Sequence, residues 1–560
     1  MTPWLPKSFH ALKHYDRRTF FSDLIAGVTV GLVALPLSMA FAIASGLPPQ
    51  AGIYCAVVTG FLISLLGGSM TQVGGPTGAF VVVVAGIVAK YGVGGLFMCT
   101  MMAGVILAVM GLTGMGSAVK FIPRPIVIGF TNGIALLIAS TQIKDFFGLR
   151  IEEVPGEFLD RLETLVAHAG TFSAEETLIG AVSLGVIVLF VKFLPKIPGT
   201  IVALFGATIA VTLLDLKVET IGTRFGGIPA GLPALHMPRF VLKDALKLLS
   251  PALTIAILGA IESLLSAVVA DRMTAERPSA DKHNPNTELF AQGVANIVSP
   301  LFGGLPATGA IARTATSIRS GARTPVAGMI HALTLLLVLL AAAPLTKNIP
   351  MAALAAILFI VAYNMGEWRE IPEILKLGRR DVSVWAVTFL LTVFADLTVA
   401  VEFGMIMAAL VFISRVALTT TVSQVTDDYL QRGWQHILQD KKIPPYATIF
   451  RIHGPFLFGS TDKLEEVERR IPELPPVVIL RLRNMTAIDA TGLHALETLA
   501  SRLHASGRAL ILCGAPWQPL KMMKRAEFER RVGPENMCEN VEEALARAAV
   551  VNEGLQRAKE

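Results

Sequence analysis

Between Asp23 and Lys120 the chain runs for 96 residues with a single ionised side chain, Lys90. About four bilayer crossings of roughly 20 residues each fit into that stretch, so the pattern predicts membrane-spanning helices. Apolar runs bounded by charge, Gly or Pro place seven spans near 24–45, 51–66, 77–89, 94–115, 125–143, 177–191 and 199–214. After a mixed loop, seven more follow near 250–270, 289–301, 310–318, 325–343, 350–363, 382–395 and 397–413. From about Gln424 the pattern changes, and apolar runs of four to eight residues alternate with charged stretches. There, 447–453, 477–482 and 509–513 read as strands, and 462–470 and 492–503 as helices, which predicts a small α/β domain of about 100 residues.

Two of the spans, 77–89 and 310–318, are too short to cross a membrane, and each follows a Gly and Pro cluster: Gly74-Gly75-Pro76-Thr77-Gly78-Ala79 and Gly303-Gly304-Leu305-Pro306-Ala307-Thr308-Gly309-Ala310. Each is the third span of its seven. Seven is odd, so the two sevens insert with opposite orientation and the short helices enter from opposite faces, with their N-termini meeting near the midplane. Paired interrupted segments of this kind point to a transporter binding site, because broken backbone is tolerated at that depth only where it lines a cavity. A packing or kink role for one such cluster is the plain alternative; two at matched positions favour a site.

The formal net charge of +6 has a topological explanation. Fourteen spans put both termini on one side. With the N-terminus inside, the inner loops carry Lys120 and Arg124, Lys192 and Lys196, Arg319 and Arg323, with Arg415 beyond the last span, while 144–176 holds three basic against eight acidic residues and belongs outside. No nucleic-acid partner is implied. The N-terminus has no short apolar stretch followed by a cleavage site, so the first span is expected to stay. Four single cysteines, with no CxxC and no His cluster, indicate neither a disulfide framework nor a metal site.

Converging helix N-termini expose unpaired N–H groups and partial positive charge, which selects an anion. Thr77 and Thr308 would add hydroxyl donors, and Gly78 and Gly309 close backbone approach. Arg313 brings a full charge beside the site; the alternative is an arginine snorkelling to the inner surface. Glu262 is the sole ionisable residue between Lys247 and Asp271, so proton coupling is expected of it, with an ion pair to Arg313 as the rival reading. Ser266, one turn on, is placed to assist it or to bond its own helix backbone. Asp396 and Glu402 read as caps of a turn between the last two spans. Asp489-Ala490-Thr491-Gly492 reads as an N-cap region at a helix start.

Four segments together resemble the sulfate permease (SulP) family, also called solute carrier family 26: Gly46-Leu47-Pro48-Pro49-Gln50-Ala51-Gly52-Ile53-Tyr54, the Gly74 to Ala79 cluster, Gly259-Ala260-Ile261-Glu262-Ser263-Leu264-Leu265-Ser266, and the run from Asn296 to Thr314. The resemblance covers nearly the whole chain; the tail is similar to that family's STAS domain, and the likeness is to its bacterial four-carbon dicarboxylate branch. It implies an all-α membrane domain of 14 transmembrane segments in a 7+7 inverted repeat, with core and gate domains and an elevator movement, plus a cytoplasmic α/β STAS domain, in a homodimer of the bacterial inner membrane. On that basis 1–23 is a cytoplasmic segment, 24–416 the transport domain with repeats at 24–214 and 250–416, 417–444 a linker, 445–550 the STAS domain and 551–560 a tail. The resemblance places the anion between Thr77-Gly78-Ala79 and Thr308-Gly309-Ala310, lined by Ser38, Met39 and Phe41, with Arg313 as the basic residue. Glu262 stands where proton-coupled members have an acid, which favours protons over sodium. Thr491 falls where related bacterial regulators are phosphorylated, so regulation there is the alternative to capping.

The leading expectation is therefore a proton-coupled transporter of dicarboxylates such as fumarate and succinate, with sulfate and bicarbonate as competitors and no cofactor. An anion sensor signalling through its STAS domain to a cytoplasmic partner is the alternative of another class. An enzyme is disfavoured, since no P-loop, metal motif or nucleophile elbow occurs.

Overall fold

A computed structural model describes residues 5–13, 15–117, 123–152, 154–194, 197–229, 231, 235, 242–275, 282–376, 378–395, 397–425 and 443–557. Lys120, Lys196, Asp396 and residues 426–442 of the expected linker lie outside the described residues. The chain divides into two units, Met1–Ala408 and Ala409–Glu560.

In the first unit the main elements are α1 (Arg17–Ala44), α2 (Pro49–Leu66), β1 (Gly74–Gly75), α3 (Gly78–Leu112), α4 (Arg124–Phe147), α5 (Ala174–Phe193) and α6 (Gly199–Leu214). Then come α7 (Leu242–Thr274), α8 (Pro285–Val298), β2 (Thr308–Gly309), α9 (Ile311–Arg319), α10 (Val326–Ala342), α11 (Met351–Met365), α12 (Arg379–Phe394) and α13 (Leu397–Thr419), whose last residues belong to the second unit. Every span expected from the sequence falls on one of these helices. Among the described helices, nine are long and apolar enough to cross a membrane, and the chain is a multi-pass membrane protein. Two expected spans share α3, which is interrupted at Gly92 (φ 69°, ψ 179°), a conformation that favours glycine. Glu402, expected in a turn, lies inside α13, and its Oε1 accepts a 2.7 Å hydrogen bond from Ser250 Oγ on α7.

The helices start and approach each other for local reasons. Asp16 caps α1 by accepting from Thr19 N–H at 2.7 Å, and prolines open α2, α4 and α8 where a missing N–H does no harm. α3 and α8 come together over glycines: a Cβ on Gly104 would lie 2.7 Å from the Gly293 carbonyl, and one on Gly111 2.7 Å from the Asn286 carbonyl. Such small-residue contacts replace hydrophobic pressure where the surroundings are lipid. Two buried carboxylates fix the chain at the ends of the short segments. Asp23 accepts from Arg323 N–H (2.7 Å) and the Thr324 hydroxyl (2.5 Å), and Glu288 accepts from Gly68 N–H (2.9 Å) and Gln292 Nε2 (3.0 Å).

The second unit contains a five-stranded sheet in the order β3-β4-β5-β6-β7: Thr421–Gln424, Ala447–Phe456, Val477–Ile488, Ala509–Cys513 and Met537–Cys538. β3 is antiparallel to β4 and the other pairs are parallel. Around it lie α14 (Asp462–Arg469), α15 (Ala490–Ala505), α16 (Trp517–Arg525) and α17 (Val541–Arg557). Alternating strand residues such as Phe450, Ile452, Leu480 and Leu482 pack with Leu496, Leu499 and Phe528 in one core. The N-cap of α15 is Asp489, which accepts from Gly492 N–H at 2.8 Å; Thr491 is the helix's second residue, with its side chain exposed, and does not cap it.

Candidate functional site

The two Gly and Pro clusters meet directly. β1 and β2 form a two-residue antiparallel pair, Gly74 opposite Gly309 and Gly75 opposite Thr308, the one sheet among the described residues of the first unit. This pairing is what places the starts of α3 and α9 side by side. An unwound backbone segment satisfies its polar groups with the matching segment from the other half of the chain.

The second arm is braced against α7. Thr308 Oγ1 donates to the Gly259 carbonyl at 3.0 Å and lies 2.7 Å from Ser263 Oγ, which in turn accepts from Gly309 N–H at 3.1 Å. Ala310 N–H donates to the Val73 carbonyl at 2.9 Å. The Thr308 hydroxyl and the Gly309 and Ala310 amides are thus occupied within the protein, and the donors that α9 leaves open are those of its first turn, Ile311, Ala312 and Arg313. Ser266 Oγ lies 3.0 Å from Thr314 Oγ1, which also accepts from Val73 N–H at 3.0 Å, so Ser266 ties α7 to α9 and does not touch Glu262.

The first arm is less occupied. Thr77 precedes α3 with a buried hydroxyl that has no partner among the described residues, and Ser38 of α1 is in the same condition. A Cβ on Gly78 would touch Phe41 Cε1 and Val361 Cγ1 at 3.5 Å and Met365 Sδ at 3.3 Å. Phe41 is therefore brought to the half-helix start, and Met39 and Ala79 are buried in the surrounding apolar core.

Arg313 is buried, at 2% exposure, and does not snorkel to a surface. Its Nη2 donates to the Pro76 carbonyl, reaching from the second arm onto the first, while Nη1 has no partner among the described residues. Gly75 sits at φ 149°, and a Cβ there would be 2.5 Å from that Nη1, so glycine leaves the space the guanidinium fills. Among the described residues the guanidinium's one hydrogen-bond partner is a neutral carbonyl, and a full positive charge so held is a strong anion donor. Glu262 is half-buried and forms no ion pair with Arg313.

Sequence reasoning overlooked four contributors. Gln72 donates Nε2 to the Ser263 carbonyl at 3.2 Å and leaves Oε1 unpartnered; it was legible only as a lone amide before Gly74. Ser263 was legible only as Glu262's neighbour. Met365 and Val361 lie nearly 300 residues from Gly78, with no sequence signal at all.

Buried polar atoms are almost always paired, so Ser38, Thr77, Gln72 Oε1 and Arg313 Nη1 mark where a ligand or water completes the site. Its donors are a guanidinium, hydroxyls and helix-end amides, the equipment for a small anion.

Comparison with known proteins agrees. The sulfate permease family matches residues 20–388, and the STAS domain residues 439–544. The chain is 40% identical to a putative sulfate transporter, YvdB, of Bacillus subtilis, over 95% of this chain and 98% of that one. It is 31% identical to the bicarbonate transporter BicA of Synechocystis, over 95% of each. Among solved structures, the transmembrane domain of a cyanobacterial BicA aligns with a TM-score of 0.61 at 34% identity, over 70% of this chain and 98% of that one. SLC26A9 aligns with a TM-score of 0.85 at 18% identity over 99% and 94%, a likeness of fold.

Proposed function

Since the chain belongs to the sulfate permease family and carries its STAS domain, it is an anion transporter, and we propose that it performs secondary active, proton-coupled uptake of a small oxyanion held between the starts of α3 and α9. The observation that carries this reading is Arg313: a buried guanidinium with one open N–H pair, placed where two half-helix N-termini converge. Bicarbonate and sulfate are the first candidates, in keeping with what the relatives are named for. One guanidinium serves one anionic group, so a four-carbon dicarboxylate, with two carboxylates to hold, ranks after them. Ser38, Thr77, Gly78 and Ala79 supply the first arm, Phe41 and Met39 the apolar wall, and Thr308, Gly309 and Ala310 the braced second arm.

Glu262 is the proton carrier of this reading. Its carboxyl has no hydrogen bond or ion pair among the described residues, and it sits on α7 one residue before Ser263, which holds the second arm. Protonation would remove a negative charge close to an arriving anion, so the two bind together. In this reading the paired arms, hydrogen-bonded to each other, move as one body in an elevator step within a dimer. The same reading puts both termini on the cytoplasmic side of a bacterial inner membrane, with Thr491, a residue of exposed side chain, as a phosphorylation site.

The test is uptake of labelled bicarbonate, sulfate and fumarate into proteoliposomes with and without an inward proton gradient, for wild type and Glu262→Gln. Gradient-driven accumulation of one anion that Glu262→Gln uncouples is the expected result. Accumulation driven equally well without the gradient would remove the proton, and binding without accumulation would make the protein a sensor.

A further inference from the structure

The second unit has an exposed feature that transport leaves unexplained. α13 is free of charge from Phe403 to Ser414, reaches Arg415 and ends at Thr419; β3 begins at Thr421. A membrane helix and a sheet strand are thus separated by the single residue Thr420. Four helical residues past Arg415 advance about 6 Å, and the headgroup layer on each side of a bilayer is about 5–7 Å deep. With Arg415 at the edge of the apolar layer, the start of β3, at one end of the sheet, comes at headgroup level.

Hydrogen bonding shows what else is at that end. Thr420 Oγ1 donates to the Pro455 carbonyl at 2.6 Å, and Thr421 pairs with His453, so the C-terminal end of β4 is there. β5 and β6 run parallel to β4 and finish at the same end. Phe458 N–H donates to Asp489 Oδ2 at 3.0 Å, and the Gln518 amide makes two 2.9 Å bonds with the backbone of Ile488. Those contacts present Phe458 and Trp517, which are 58% and 73% exposed. The Lys521 ammonium lies 4.4 Å from the centre of the Trp517 ring, and α16 carries Lys521, Lys524 and Arg525 with no acidic residue. Residues 454–459 and 514–516 at this end carry no charge, and its acidic Asp489 accepts from the Phe458 and Gly492 N–H groups.

Two exposed aromatics are unfavourable in water, whereas aromatic rings beside lysine and arginine are the composition that partitions into a membrane surface. We propose that this end of the STAS sheet is a lipid contact surface, with Phe458 and Trp517 in the headgroup layer and the basic residues of α16 against anionic phospholipid. The domain is held to the bilayer by its own surface as well as by α13, and the assignment is independent of the transported anion.

The test uses the full chain in nanodiscs of phosphatidylcholine, alone or mixed with phosphatidylglycerol, with acyl chains brominated near the headgroup. Emission from Trp517 is the difference between wild type and Trp517→Phe. It is expected to be quenched by about half or more in the anionic discs, and recovered in a variant joining Lys521→Glu, Lys524→Glu and Arg525→Glu. Amide exchange over 455–460 and 517–525 should be slower in anionic than in zwitterionic discs, a readout that does not depend on the variants. Unquenched Trp517 in anionic discs, including the case of Trp517 packed against a second copy, would overturn the lipid surface. Equal quenching and equal exchange in both discs would overturn the role given to anionic headgroups.

Discussion

The two half-helix arms arise from the same kind of sequence and are built for different work. The second arm is locked: Thr308, Gly309 and Ala310 spend their polar groups on Gly259, Ser263 and Val73. Thr77 on the first arm and Ser38 on α1 keep hydroxyls with no partner among the described residues, and Arg313 reaches from the second arm to the Pro76 carbonyl of the first. Two similar backbone segments thus differ in what they leave open: the second is bonded into the protein, and the first borders hydroxyls without partners among the described residues.

The comparison is broken most directly at the link between the arms. Arg313→Gln removes the charge and should lower uptake by about 10- to 100-fold, from the roughly 1.5–3 kcal/mol of a charge-assisted hydrogen bond. Uptake within about twofold of wild type would place the anion elsewhere. Next, Gly309→Ala puts a methyl into the Gln72 amide and 3.1 Å from Ser263 Cα, and should destabilise the membrane unit by about 1–3 kcal/mol in detergent melting. Gly78→Ala meets only side chains at 3.3–3.5 Å and should melt close to wild type, so equal melting of the two would erase the distinction between arms. The threonines sharpen it. Thr308→Val strands Ser263 and should destabilise by about 1–3 kcal/mol, whereas Thr77→Val should stay within about 0.5 kcal/mol of wild type and raise KM for the anion.

The smallest effect concerns an arginine of the opposite kind. Arg224 donates to both Asp145 oxygens, at 3.0 and 2.6 Å, and to Glu219. Burial alone would raise the Glu219 carboxyl, but the Arg224 guanidinium bonded to it holds it below its ordinary 4.5. A lowered carboxylate pKa contributes stability above the ordinary value, and that contribution disappears as pH falls through the lowered one. Melting of Arg224→Gln should fall below wild type at neutral pH, with the gap closing in acid; a gap constant with pH would show that the pair is not what Arg224 provides.

Much of this was legible in the chain. Spans 199–214 and 509–513 coincide with α6 and β6, because an apolar run between charges or turn residues leaves little freedom for its ends. The two clusters were legible because Gly and Pro in short apolar segments stand out at matched positions. The division of labour between the arms was not, since Thr77 and Thr308 occupy equivalent places in sequence and differ only in what packs beside them. Nor was the cap of α15: Asp489 and Thr491 are both suitable residue types, and the register of the turn selects Asp489.

The sequence by itself determined that the chain enters a membrane repeatedly and that two Gly- and Pro-broken segments recur at matched places in its two halves. These follow from transfer free energies that each residue carries with it. Tertiary structure decided that Arg313 reaches Pro76, that Ser263 closes the second arm, that Met365 meets Gly78, and that Phe458 and Trp517 lie at one end of a sheet. Each brings together residues distant along the chain, in an arrangement fixed by packing and hydrogen-bond closure, quantities that no local pattern encodes.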